Sequence, residues 1–151
     1  IYLKLWVVGP LVRMVAISRF ARTLGTMLQA GVPLLRTLEI VRSILGNTVL
    51  MKVVDEARDA IREGESIADP LAKSGQFPPV VTRMISVGER SGQLESMLET
   101  VADSYETEVD LRIQRLTTLM EPLIILLMGG AVGFIVLSIL LPILDMNEMV
   151  G

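Results

Sequence analysis

The sequence predicts an all-α protein: an antiparallel six-helix bundle followed by a C-terminal transmembrane helix. Three observations carry that prediction. Between residues 11 and 119 apolar side chains recur in steps of three and four, with no alternating pattern that would mark strands. Glycine and proline punctuate the same stretch at short intervals, and short connections make consecutive helices antiparallel neighbours. Finally, Pro122 to Leu144 reads PLIILLMGGAVGFIVLSILLPIL without a charge. A mean hydropathy of +0.56 beside 21% charged residues is explained by this concentration of apolar residues at one end.

The first helix ends in RFARTLGTMLQAG, with Phe20, Leu24, Met27 and Leu28 on one face and Gly31 as its C-terminal cap. Pro33 takes a first-turn position and opens a second helix whose stripe is Leu34, Leu38, Val41 and Leu45; Gly46 and Asn47 close it. In the third helix Leu50, Val53, Ala57 and Ile61 face inward, Lys52, Asp55, Glu56, Arg58, Asp59 and Arg62 face water, and Gly64 stops the helix. Ser66 is the expected N-cap of a short fourth helix reaching about Ser74, with Asp69 near the positive end of its dipole. Pro70 is expected to remove a hydrogen bond there. Phe77-Pro78-Pro79 breaks the chain before a fifth helix, Val80 to Glu89.

The sixth helix starts near Gln93 and is long. Leu94, Leu98, Val101, Tyr105, Val109, Ile113, Leu116 and Met120 form its stripe, and it runs into the apolar segment with Pro122 as a kink position. As a helix rising about 1.5 Å per residue, Pro122 to Leu144 reaches roughly 34 Å, enough for a hydrocarbon core of about 30 Å. Buried helices of soluble proteins normally keep a polar stripe, whereas Ser138 is the one conventional polar side chain here. Gly129 and Gly133 form a G-x-x-x-G, which lets a second helix approach closely in lipid, and Pro122 and Pro142 sit near the two ends. Arg112 and Arg115 precede the span, while DMNEMVG after it has no Lys or Arg, so the bundle is expected to be cytoplasmic. The reading divides the chain at 11–119 for the bundle, 120–144 for the transmembrane helix and 145–151 for an external tail.

Chemistry is constrained by what is missing. There is no Cys and no His, which removes disulfides, thiolate zinc sites, thiol nucleophiles and imidazole bases. A net charge of −3 gives no footing for nucleic acid, whose binding depends on excess Lys and Arg. The stretch VGERSGQL, Val87 to Leu94, has two glycines and a serine, but neither a preceding strand nor the Gly-Lys-Ser/Thr ending of a phosphate loop. Glu89 would repel a phosphate. The segment reads as the bend between two helices: Gly88 for close packing, Ser91 as a candidate N-cap and Gly92 for the turn. Carboxylate pairs Glu95/Glu99 and Glu106/Asp110 share helix faces and could approach a divalent cation, but a solvated acidic face is the ordinary explanation. No catalytic residue, metal ligand or cofactor site is assigned.

Three ordered blocks resemble the type II secretion system protein F family, which includes the platform proteins of type IV pilus assembly. They are GVPLLRTLEIV, then FPPVVTRMISVGERSGQLESML, then RLTTLMEPLIILLMGGAVGFIVLSILLPIL, and the likeness runs from Trp6 to Asn147. The resemblance makes Gly31, Pro33, Phe77, Pro78, Gly88, Glu89, Ser91, Gly92 and Leu94 the family-motif and helix-packing positions, with Pro122, Gly129, Gly133 and Pro142 packing the membrane helix. Pro70 departs from the more helix-friendly residue expected there. The family has two similar cytoplasmic six-helix domains and three membrane helices, so this chain looks like the second domain plus the last span, in agreement with a first residue that is Ile, not Met. Residues 1–10 would then be the exit from a preceding span or an interfacial foot with Trp6 at the lipid surface.

The resemblance implies a non-enzymatic platform in the bacterial inner membrane, multi-pass in the full-length protein, with its tail in the periplasm. Its implied partners are a cytoplasmic hexameric assembly ATPase, pilin or pseudopilin subunits, other inner-membrane machine components, the lipid bilayer and further copies of itself. The competing reading is a single-span membrane adaptor or signalling protein with a helical cytoplasmic domain, which further membrane helices upstream would exclude. A membrane-anchored hydrolase using Ser91 and Glu89 is a third, and it requires a convergent pocket.

Overall fold

The computed structural model describes residues 2–151, with side chains from Val8 onward. Six helices follow in order: α1 (Tyr2–Gln29), α2 (Leu34–Ile44), α3 (Thr48–Arg62), α4 (Ala68–Lys73), α5 (Pro79–Ser91) and α6 (Leu94–Val150), with no strand among the described residues. The chain divides into two compact units, Ile1–Asp110 and Leu111–Gly151. Trp6, expected at a lipid surface, lies outside the described side chains.

In the first unit the predicted stripes meet in one core. Ile17, Phe20 and Leu24 of α1, Leu38 and Val41 of α2, Leu50 and Val54 of α3, Leu71 of α4, Ile85 of α5 and Leu98 of α6 are all buried in it. Each such side chain removed from water is worth about 1.5–3 kcal/mol before chain entropy is charged against it. Phe77, on the turn before α5, meets Phe20 edge to face with centroids 5.2 Å apart and planes at 61°, an arrangement the ring quadrupoles favour. α1 runs antiparallel to the start of α6: Gln29 reaches Glu99, and Arg22 reaches Asp103 and Glu106.

Five local expectations change. Pro70 removes no hydrogen bond, because it is the third residue of α4 and the first four N–H groups of a helix have no intrahelical acceptor. Asn47 does not close α2; its side chain accepts from the N–H groups of Val49 (2.9 Å) and Leu50 (3.3 Å) and so caps α3. Ser91 is not the N-cap of α6, since its hydroxyl donates back to the Val87 carbonyl at 2.8 Å inside α5. Two of the α3 charges expected to face water face α2 instead. Asp55 accepts from Arg42 at 2.7 Å, and Arg58, half-buried, lies 3.8 Å from Glu39. Ser66 is not the N-cap of α4 either: that position is Ile67, which makes no side-chain cap, and the Ser66 hydroxyl, one residue earlier, accepts the Ala68 N–H at 3.1 Å.

The second unit is the distal part of α6. Its apolar stretch has a mean hydropathy of 2.8 and nothing in it is buried within the unit, so it is long and apolar enough to cross a membrane. Pro122 and Pro142 both lie inside the helix. The Ser138 hydroxyl donates to the Phe134 carbonyl one turn back at 2.8 Å. Ile113, Leu116 and Met120, predicted to continue the core stripe, are 47%, 40% and 55% exposed.

Candidate functional site

Sequence reasoning singled out the α5–α6 junction, and the structure builds it as a helix-packing joint. Gly88 is buried on α5. A Cβ there would come within 2.9 Å of the Leu94 Cα and 3.1 Å of Met97 side-chain atoms, so only glycine lets the two helices approach this closely. Gly92 has φ 71°, ψ 19°, the left-handed conformation that ends α5. The N–H groups of Gly92 and of Gln93 (2.9 Å) both return to the Gly88 carbonyl, so one carbonyl secures the whole turn. Leu94, first residue of α6, packs half-buried on the core.

Glu89, on the same turn of α5, faces inward. One of its carboxylate oxygens accepts the Ala68 N–H at 2.9 Å, sharing with the Ser66 hydroxyl the first donor of α4. An anion at a helix start satisfies orphan donors and the helix dipole together. That is a structural use of the carboxylate, and it puts a negative charge where a phosphate loop would need none. Nothing but the acidic residue type signalled it, because its partner is 21 residues away.

The other motif positions are punctuation. Gly31 (φ 83°) ends α1, whose last turn is closed by the Val32 N–H on the Met27 carbonyl at 3.0 Å. Pro33 and Pro78 each stand immediately before a helix, with φ −58° and −57°, and Phe77 anchors the second of these turns in the core.

The start of α6 is gripped from two more places. A Cβ on Gly25 of α1 would lie 3.2 Å from the Leu98 Cβ, a second close approach. Arg22 donates to both Glu106 oxygens, through Nε at 3.0 Å and Nη2 at 2.9 Å, and Nη2 also meets Asp103. The hydrogen bonds from Arg22 hold the Glu106 carboxyl below its ordinary range, and the two carboxylates raise the guanidinium above its own. Burial, with Glu108 assisting, pushes the Tyr105 hydroxyl up. Glu106 is thus committed to Arg22, and Glu99 accepts from Gln29 at 3.2 Å. Both carboxylate pairs proposed for a cation have lost a member to α1. No group of three or more metal-ligating side chains is gathered among the described residues.

Gly129 and Gly133 lie on α6 with open space beyond each, and the flanking Pro122 and Pro142 are exposed on the same helix.

The profile of the family described as "Type II secretion system (T2SS), protein F" matches residues 20–142. The chain belongs to this family. It is 41% identical over 146 residues to the type IV pilus assembly protein PilC of Myxococcus xanthus, covering 97% of this chain and 35% of that protein. It is 41% identical over 149 residues to the type II secretion system protein F of Pseudomonas aeruginosa, covering 99% of this chain and 37% of that protein. For the protein of the same name in Aeromonas hydrophila the values are 40% over 151 residues, 100% and 39%. The chain spans little more than a third of the length of these relatives, and pilus and secretion members match it equally well.

Proposed function

We propose that this chain is the second cytoplasmic domain and last membrane span of a multi-pass inner-membrane platform. The platform couples a cytoplasmic assembly ATPase to the insertion of pilin or pseudopilin subunits into a filament, in a type II secretion or type IV pilus machine. It works by contact and carries no catalysis of its own. The domain comprises residues 11–119, the span 120–144 and the periplasmic tail 145–151, with Gly129 and Gly133 as the face that admits a neighbouring helix.

One observation carries the reading. α6 is a single 57-residue helix whose first turns are clamped by Gly25, Gly88 and Arg22 and whose later turns are apolar enough for lipid. A helix transmits displacement along its axis, whereas a flexible joint absorbs it. The names of the relatives supply the machine, and the positive flank Arg112/Arg115 supports a cytoplasmic bundle.

The test is a pair of glycines in the full-length protein at Gln114 and Thr117, both exposed and outside the core. Each weakens the helix by about 1 kcal/mol. The expected result is lost filament assembly with normal protein level and membrane localisation. Normal assembly in that variant would overturn the reading.

A further inference from the structure

The α5 helix has an outer face that nothing in the first unit uses. Val81, Ile85 and Gly88 turn into the core, while Val80 and Val87 are 60% and 54% exposed. Arg83 and Arg90 are exposed at helical spacing along the same side. Neither guanidinium has an ion-pair partner among the described residues, in contrast to Arg22, Arg36, Arg42, Arg58 and Arg62. Acidic residues are missing from this face, because Glu89 points to α4. The result is a strip in which two valines alternate with two free positive charges.

The complementary strip stands on α3. Glu56 and Asp59 are exposed on its outer side, and Glu63, the residue that caps it, continues them. Lys52 lies one turn earlier, and Arg62 reaches Asp59 at 3.9 Å, so the unbalanced negative charge is confined to the last turns of the helix. Arg83 and Arg90 are seven residues apart, as are Glu56 and Glu63. At about 1.5 Å per residue both intervals are about 10.5 Å, so the two charge pairs are in step.

We propose that a second copy of this chain seats the end of its α3 on the outer face of α5. Arg83 and Arg90 meet Glu56 and Glu63, and Val80 and Val87 form the dry part of the contact. The two patches differ, so the contact is head to tail and each copy keeps one free patch of each kind. Such contacts propagate into a ring or a row. The charges set register and encounter rate more than affinity, and the valines limit dissociation. The contact stands apart from filament building, because its readout is covalent mass.

The test uses the full-length protein in its membrane, with any cysteine outside this chain changed to serine; this chain itself has none. One tagged copy carries Val87→Cys and a differently tagged copy carries Asp59→Cys. Mild oxidation is expected to give a mixed disulfide at twice the protomer mass. Adding Arg83→Glu and Arg90→Glu to the first copy should cut its yield at least ten-fold, and adding Glu56→Arg and Glu63→Arg to the second copy should restore it. That rescue separates pairing from any effect on folding. The proposal is overturned by absence of the mixed disulfide, by a yield indifferent to charge reversal, or by dominant Val87→Cys self-pairing, which would mean a two-fold symmetric contact. It is equally overturned if the reversal instead abolishes binding to phosphatidylglycerol vesicles and leaves the crosslink intact, which would assign the face to lipid.

Discussion

The Glu89 carboxylate on α5 accepts the backbone N–H of Ala68, the first residue of α4, at 2.9 Å. α4 has only six residues, too few to be stable alone, so its start depends on this carboxylate and on Ser66. Replacing Glu89 by Ala is expected to cost about 1 kcal/mol, within the range for losing a helix cap, and to speed hydrogen exchange at the Ala68 amide. Glu89→Gln keeps an acceptor and should recover part of both. Denaturant unfolding and amide exchange read the two effects.

Gly88 and Gly92 are four residues apart but are needed for different reasons. Gly88→Ala sets a Cβ against the Leu94 backbone, where relaxation means moving a helix, and is expected to cost about 1–3 kcal/mol. Gly92→Ala meets no atom but holds a non-glycine residue at φ 71°, a cost of about 1–2 kcal/mol. Asn tolerates the left-handed region, so Gly92→Asn should recover stability while Gly88→Asn should not. Thermal unfolding of the four variants distinguishes steric from conformational need.

Much of this was legible beforehand. Helix number, the inward stripes and the glycine and proline boundaries follow from local periodicity and backbone preference, which the chain expresses residue by residue. What was illegible depended on partners distant in sequence. Glu89 reads as a surface acid until Ala68 is placed beside it, and Glu106 reads as half of a cation pair until Arg22 arrives from α1. Pro70 misled because its effect depends on its distance from a helix start that pattern alone fixes only to within a turn. Ser91 misled because a serine hydroxyl can serve the end of one helix or the start of the next with equal chemistry.

The Arg22 fork has a pH signature. Its hydrogen bonds lower the folded-state pKa of Glu106, so the stabilisation is fully present above the unfolded carboxylate value, about 4.3, and fades as pH falls below it toward the folded value. Both partners are more than a third exposed, so water and salt screen the pair and Arg22→Met should cost only about 1 kcal/mol at neutral pH. Arg22→Met should also remove part of the acid-dependent loss of stability between pH 5 and 3, as should Glu106→Gln. Unfolding midpoints across that range at low salt test it.

The apolar part of α6 should insert as a span. In a translocon reporter carrying residues 116–150, Val132→Arg near the middle is expected to penalise insertion by about 2.5–3.5 kcal/mol. The same change at Met149 should have little effect. Equal tolerance at both positions would show that this part of the helix does not lie across lipid.

Because the Ser138 hydroxyl spends its proton on Phe134 of its own helix, the apolar stretch Pro122 to Leu144 keeps no side-chain donor for a neighbouring segment. A helix packed against it would meet methyl groups and the hollows at Gly129 and Gly133. Any selectivity of such a surface would rest on contour.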